Sequence, residues 1–237
     1  MQDDMIFITG AGRRVGYALA EYFLTQGHPV IGHHHRESVE CEKLRQRGAL
    51  MVQANFEDED SVQQMCAQIE SQCRSLRAII HNASAFTKTH ADAEQALPQF
   101  DQFYRIHMRT PWQINTALIP LLRACSRVSD IVHITDIYAD NPNPVYDVYC
   151  ASKAGLQNLS LSFAKQLAPK IKVNVIQPGP ILFKEWHSEA AKKAVLSETL
   201  LGFEAGPEPI VKAASALLDN PYQTGAIIPV DGGRRLT

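Results

Sequence analysis

Seven short apolar runs alternating with helically spaced stretches predict an α/β protein, a single-domain, doubly wound fold with a seven-stranded parallel sheet flanked by helices. The apolar runs are nearly continuous rather than alternating, as in strands covered on both faces. Helical periods separate them, so the connections are crossovers and not hairpins. No linker-like break or internal repeat divides the 237 residues, and the chain reads as one domain over 1–237.

The first run, Met5 to Thr9, ends in Thr9-Gly10-Ala11-Gly12, and a helix follows through Val15, Leu19, Tyr22 and Phe23. Pro29 to Gly32 reads as the second strand, Glu37 to Arg47 as a helix stopped by Gly48, and Leu50 to Ala54 as the third strand. Val62, Met65, Cys66 and Ile69 mark a helix over Ser61 to Cys73, before a strand over Leu76 to His81. Phe100 to Ala124 reads as one long helix, bent near Pro111 and Pro120. A strand over Asp130 to Ile134, a helix over Tyr146 to Leu167 and a strand over Ile171 to Ile176 follow. The seventh strand is Ala226 to Val230, preceded by the last helix. Residues 178–209 are rich in Gly, Pro, Glu and Lys and form a long insert, with short helices expected around Glu189 to Leu201. Inserts of this length are usually functional, and this one is expected to be a substrate loop.

Composition narrows the function classes. Lys+Arg is 23 against 25 Asp+Glu, so the basic footprint of a nucleic-acid binder is missing. No apolar run is long enough to span a membrane. The acidic start, Met1-Gln2-Asp3-Asp4, runs straight into a strand and does not read as a secretory signal. Cys41, Cys66, Cys73, Cys125 and Cys150 are odd in number and form no C-x-x-C, which fits reduced thiols in a cytoplasmic protein. Neighbouring residues of a strand face opposite ways, so His33, His34 and His35 do not make a metal site, and none is expected.

The turn Thr9-Gly10-Ala11-Gly12-Arg13-Arg14-Val15-Gly16 lies where a strand meets a helix. Glycines there let the backbone approach a pyrophosphate, and the helix N-terminus offers free N–H groups. After the second strand the chain reads His33-His34-His35-Arg36-Glu37. Arg36 suits the 2′-phosphate of NADP, with Arg13 on the other side of the pocket, whereas Glu37 could instead hold a free ribose. NADPH is the favoured cofactor.

Four separated motifs together resemble the short-chain dehydrogenase/reductase superfamily. They are the Thr9–Gly16 turn, His81-Asn82-Ala83-Ser84, Tyr149-Cys150-Ala151-Ser152-Lys153, and Pro178-Gly179. Several departures from the common pattern resemble its pteridine reductase branch. Arg14 stands where a Gly is usual, the 35–38 segment matches that branch's cofactor-selecting segment, and Val230-Asp231-Gly232-Gly233 is similar too. Asp136, 13 residues before Tyr149, stands where the family's catalytic Ser falls, and Phe86 matches the aromatic that stacks on the pterin. His107 replaces the Asn that orders a proton-relay water, so that relay is in doubt, and Asn55 replaces the commoner Asp beside the adenine.

The resemblance implies a homotetramer that reduces a 7,8-dihydropterin with NADPH, dihydromonapterin foremost and dihydrofolate as a slower substrate. It implies cofactor contacts from Gly10, Arg13, Arg14, Val15, Gly16, His35, Arg36, Asn55, Phe56, Asn82, Ala83, Ser84, Tyr149, Lys153, Pro178, Gly179 and Ile181. Phe86, Ser84, Arg14, Tyr149 and Asp136 would meet the substrate, with Tyr149, Lys153 and Asp136 catalytic. Tyr149 and Lys153 are four apart on a helix and share a face, so the ammonium is expected to lower the phenol's pKa. A carboxylate at 136 would repel the alkoxide that forms when a ketone is reduced, but it can accept from the N–H edge of a pterin. The proton for N5 could come from Tyr149, Asp136 or water. Trp112 reads as core or interface, and Trp186 as a closure over the pocket. Two rival readings are a carbonyl or 3-oxoacyl reductase of the wider family and a non-catalytic NADP-sensing module. Asp136 and Arg14 argue against the first, and the intact Tyr149/Lys153 pair against the second.

Overall fold

A computed structural model describes residues 1–183 and 187–237. In chain order the elements are β1 (Met5–Ile8), α1 (Arg14–Thr25), β2 (Val30–His34), α2 (Val39–Gln46), β3 (Leu50–Gln53), α3 (Glu59–Gln72) and β4 (Leu76–His81). Then come α4 (Ala93–Tyr104), α5 (Thr110–Ala124), β5 (Ser129–Ile134), α6 (Asp147–Leu167), β6 (Ile171–Pro178), α7 (Glu189–Ser197), α8 (Glu208–Asp219) and β7 (Ile227–Val230). Among the described residues, seven strands pair in parallel in the order β3-β2-β1-β4-β5-β6-β7. The strand order reverses between β1 and β4, and that switch point opens a crevice at the C-terminal ends of the strands.

Strand alternation divides the core into two layers. Phe7, Ile31, Ile79, Ile131 and Val173 face one side and pack on Met65 and Ile69 of α3, Leu118 of α5 and Phe163 of α6. Ile6, Ile8, Val30, Ile80 and Val132 face the other and meet Leu19 and Phe23 of α1 and Leu217 of α8. Each large side chain so buried contributes roughly 1.5–3 kcal/mol.

The predicted helix over Phe100 to Ala124 ends where expected but is corrected at its start and in its interior. It starts earlier, at Ala93, where Asp92 caps it by accepting from Glu94 N at 2.9 Å. It is also interrupted by a π-helical turn, Arg105–Arg109, between α4 and α5. Pro111 stands just after that π-helical turn, in a backbone that stays helical from α4 into α5, so its missing N–H falls where the hydrogen-bonding pattern changes. The short helix expected near Glu189 to Leu201 is α7, over Glu189–Ser197.

At the sheet's opposite edge, buried Asp130 pairs with Arg77 and, at 3.1 Å, with Lys172. Both cations also donate to the last carbonyls of α8, Arg77 to Leu218 O at 2.6 Å and Lys172 to Leu217 O at 2.9 Å. Cations at a helix C-terminus complement its dipole.

Buried histidines tie the strands together in their neutral form. His33 accepts from Gly10 N at 3.2 Å through Nδ1, donates from Nε2 to Ala54 O at 3.1 Å and stacks on Phe56 with ring centroids 4.1 Å apart. His81 stacks on His133 at 4.7 Å, and Asn115 bridges their Nε2 atoms. Burial pushes His33 down to about 3 and His81 to about 4. Unfolding lets both take up protons near pH 6.5. Their contribution is therefore complete above pH 6.5 and declines as the pH falls, by on the order of 3 kcal/mol each at pH 4. Urea midpoints measured against pH should fall steadily between pH 6.5 and 4, whereas a flat profile there would contradict the neutral-histidine account.

Candidate active site

The first turn is shaped by its neighbours. Gly10 has φ +70°, and a Cβ at Gly16 would lie 2.0 Å from Gly10 O, so turn and helix meet at glycine distance. Asn82 at the end of β4 donates from Nδ2 to Thr9 O at 2.9 Å and Gly10 O at 3.3 Å. Thr9 Oγ1 in turn accepts from the backbone N–H of Asn82 and of Ala83, both at 3.0 Å. Asn82 and Ala83 thus hold the turn in place.

Arg13 and Arg36 are exposed, and neither guanidinium has a hydrogen bond or ion pair among the described residues. A pocket of about 300 Å³ beyond the end of β3 is lined by His35, Gln53, Ala54, Asn55 and Ser61. Phe56 turns inward onto His33, and its carbonyl accepts from buried Thr110 Oγ1 at 3.1 Å, so it does not line this pocket. Glu37 is engaged by Arg45, with Nη1–Oε2 3.0 Å and Nη2–Oε1 2.5 Å. Among the described residues, His34, Glu37 and Cys41 place three possible ligand atoms within 4.8 Å of one another, but the Arg45 cation lies against them.

Arg14 adopts φ +51°, a left-handed conformation that costs a side chain other than glycine roughly 1 kcal/mol. Its guanidinium donates to Leu182 O at 2.7 Å and Phe183 O at 3.2 Å, and so spans from the turn to the 178–209 insert. Gly179 N donates to Val230 O at 3.0 Å, and a Cβ at Gly179 would lie 2.8 Å from Asp231 Cα. Ile181 packs at the edge of the second core layer, with Val15.

On the other side of the crevice lies the acid–phenol pair. Asp136 caps a short 3₁₀ turn, Ile137–Ala139, by accepting from Tyr138 N at 2.9 Å through Oδ1. Its other oxygen, Oδ2, accepts from the Tyr149 hydroxyl at 2.9 Å. Lys153, one turn on, donates to Ile134 O at 3.0 Å, and Nζ lies 5.7 Å from the Tyr149 ring centroid. Burial raises the Asp136 carboxyl. It also lowers Lys153 to about 8. Tyr149 is raised well above the usual phenol range, first by burial and then by the Asp136 charge. The expected lowering of the phenol by Lys153 is therefore corrected: the ammonium donates to a backbone carbonyl, and the group against the phenol oxygen is the Asp136 carboxyl, which works with burial to raise it.

Aromatic rings line this pocket. Phe86 stacks on Tyr146 at 4.6 Å and meets Tyr149 edge-on at 4.8 Å. His107, in the π-helical turn, has both ring nitrogens occupied: Nε2 accepts from Ala85 N at 3.2 Å and lies 2.9 Å from Ser84 Oγ, and Nδ1 lies 2.8 Å from Ser152 Oγ. Ser152 passes the chain on to Tyr149 O at 2.7 Å. His107 thus braces Ser84 against the Tyr149 helix. Sequence reasoning assigned no role to Tyr146, or to Ser152 although it lies inside the Tyr149–Lys153 motif, because the contacts of both are with residues distant in the chain or with backbone. Trp112 is half exposed, which excludes the core reading, and Trp186 lies outside the described residues. Arg234 pairs with Glu198 and Arg235 with Asp231 at 2.9 Å.

A dinucleotide turn and a phenol–lysine pair on one edge of a parallel sheet define a nicotinamide-dependent oxidoreductase. A family model described as enoyl-(acyl carrier protein) reductase matches residues 10–235, and the chain belongs to the short-chain dehydrogenase/reductase family. The dihydromonapterin reductase of Enterobacter sp. (strain 638) is 39% identical over 98% of this chain and 96% of its own. The Klebsiella pneumoniae dihydromonapterin reductase is likewise 39% identical, with the same coverage. Among solved structures, FolM alternative dihydrofolate reductase 1 from Brucella suis, in complex with NADP, superposes with a TM-score of 0.90 at 28% identity, covering 99% of this chain and 96% of that one. A Serratia marcescens short-chain dehydrogenase/reductase gives 0.87 at 25% identity, covering 99% and 98%.

Proposed function

We propose that the chain is an NADPH-dependent reductase of 7,8-dihydropterins, with dihydromonapterin as its main substrate and dihydrofolate as a slower one. The observation that carries this reading is Asp136, a buried carboxylate that accepts from the Tyr149 phenol where the wider family has a neutral Ser. Relatives named for dihydromonapterin reduction support it.

The residues fit NADPH. The glycine-rich turn packs closely on the start of α1, where backbone N–H groups suit a pyrophosphate, and the 300 Å³ pocket with Asn55 and His35 suits the adenosine end. The guanidinium groups of Arg36 and Arg13, exposed and without a partner among the described residues, suit a 2′-phosphate. Lys153 and Tyr149 would hold the nicotinamide ribose, with Pro178, Gly179 and Ile181 behind the ring. NADPH, when bound, supplies the electrons that reduce the C6–N5 bond of the substrate.

The chain's own groups then position the substrate and move a proton. Phe86 offers a flat face for the pterin, and Asp136 accepts from its N–H edge. Tyr149, kept protonated by burial and by Asp136, holds a proton beside the site for N5, and Asp136 can share it. Arg14 and the 178–209 loop it reaches would close the pocket over the substrate. No helix of the described residues is long and apolar enough to cross a membrane, which fits a cytoplasmic enzyme acting on a small molecule.

Asp136→Ser should lower kcat/KM for a dihydropterin about ten- to a hundredfold, the value of one charge-assisted hydrogen bond, and leave NADPH affinity nearly unchanged. Equal activity of the two proteins would show that the residue or the substrate is misassigned. Assembly as a homotetramer is supported by the apolar face that α4 and α5 leave to solvent, where Leu97, Phe100, Tyr104 and Trp112 are all exposed. Sedimentation should give a tetramer at micromolar concentration, and a monomer would overturn that assignment.

A further inference from the structure

The segment after β2 contains two opposite instructions. Arg36 favours a 2′-phosphate, and Glu37 beside it is the kind of carboxylate that binds the free ribose hydroxyls of NAD and repels a phosphate. Glu37 is more than half exposed, so burial does not restrain it. What occupies it is Arg45, eight residues on, at the last turn of α2. The two side chains form a bidentate fork, Nη1–Oε2 3.0 Å and Nη2–Oε1 2.5 Å, that uses both carboxylate oxygens. His34 Nε2 lies 3.3 Å from the same Oε1, on the inner side.

The fork is placed relative to the cofactor turn by the start of the same helix. Ser38 caps α2 by accepting from Cys41 N at 3.2 Å, and its hydroxyl donates to Gly12 O at 2.7 Å. Cys41 Sγ fills the space beside Gly12, where a Cβ would come within 2.8 Å of it. The helix that carries Arg45 is therefore docked on the glycine-rich turn itself.

Resting on the NADPH reading, we infer that Arg45 is a positioning residue for cofactor choice. It neutralises Glu37 and holds it off the ribose, so that Arg36 and Arg13 decide what the pocket accepts. An exposed ion pair of this kind adds little to stability. Its effect lies in the charge that meets the incoming ribose. With Arg45 removed, the freed carboxylate would repel the 2′-phosphate and accept the two hydroxyls of NAD.

Calorimetric titration of NADP⁺ and NAD⁺ into the wild type, Arg45→Gln, Glu37→Gln and the double variant tests this without turnover. The wild type should prefer NADP⁺ by about tenfold or more, and Arg45→Gln should cut that preference about tenfold, partly by tightening NAD⁺. The double variant should return to the preference of Glu37→Gln, because there is no carboxylate left to restrain. An unchanged preference in Arg45→Gln overturns the inference while leaving the cofactor reading intact. A double variant as impaired as Arg45→Gln also overturns it, since Arg45 would then touch the phosphate directly. A wild type that binds both cofactors equally overturns the NADPH reading itself, and this inference with it. A structural role for Arg45 alone would weaken both cofactors together, not shift their ratio.

Discussion

Parallel strands all end on the same edge of their sheet, and everything functional in this molecule depends on that constraint. The edge brings together the turn after β1, the Arg36 segment after β2, Asn82 after β4 and Asp136 after β5. Parallel pairing alone does not hold the turn in position. The Thr9–Asn82 hydrogen bonds and the His33 bridge to Gly10 and Ala54 do, because they link β1 to its neighbour on each side. A histidine serves in such a bridge only while neutral, with one nitrogen accepting and the other donating. Its burial enforces that state.

Burial governs the groups proposed to react as well. In water Tyr149, Asp136 and Lys153 would titrate independently. In the dry crevice the phenol keeps its proton, the carboxyl is raised and the ammonium is lowered. The attraction between Asp136 and Lys153 partly offsets the desolvation of each. A ketone reductase needs a donor that meets developing negative charge, and a buried anion in that place works against it. A substrate with its own N–H groups turns the same anion into a recognition element. His107 belongs to this logic: with both ring nitrogens bound by protein, it braces Ser84 and the Tyr149 helix rather than ordering water.

The seven-stranded parallel sheet and its flanking helices were legible in the sequence because continuous apolar runs and helical spacing record burial directly, whereas the order of the strands was not, since no local pattern says which strands pair. The Thr9–Gly16 turn, Asn82, Tyr149 and Lys153 were legible because each chemistry needs a fixed residue type at a fixed place. The π-helical turn at Arg105–Arg109 was not, since the helices on either side keep the ordinary apolar period and the turn only shifts its phase, by about one residue's rotation. The Tyr149 pKa direction was misread for a related reason. Spacing places Lys153 on the same helix face, but it cannot show that the ammonium reaches Ile134 O while Asp136 reaches the phenol. The links from His33 to Ala54 and from Arg45 to Glu37 join residues that no local pattern connects.

The central claim is that a buried carboxylate beside a protonated phenol suits this site to a nitrogen heterocycle rather than a carbonyl. NADPH oxidation by the purified enzyme, measured in parallel with 7,8-dihydromonapterin, dihydrofolate and a set of simple ketones, tests it most directly. The account expects the highest kcat/KM with dihydromonapterin, a lower value with dihydrofolate and no measurable turnover of the ketones. Turnover confined to the ketones would contradict it.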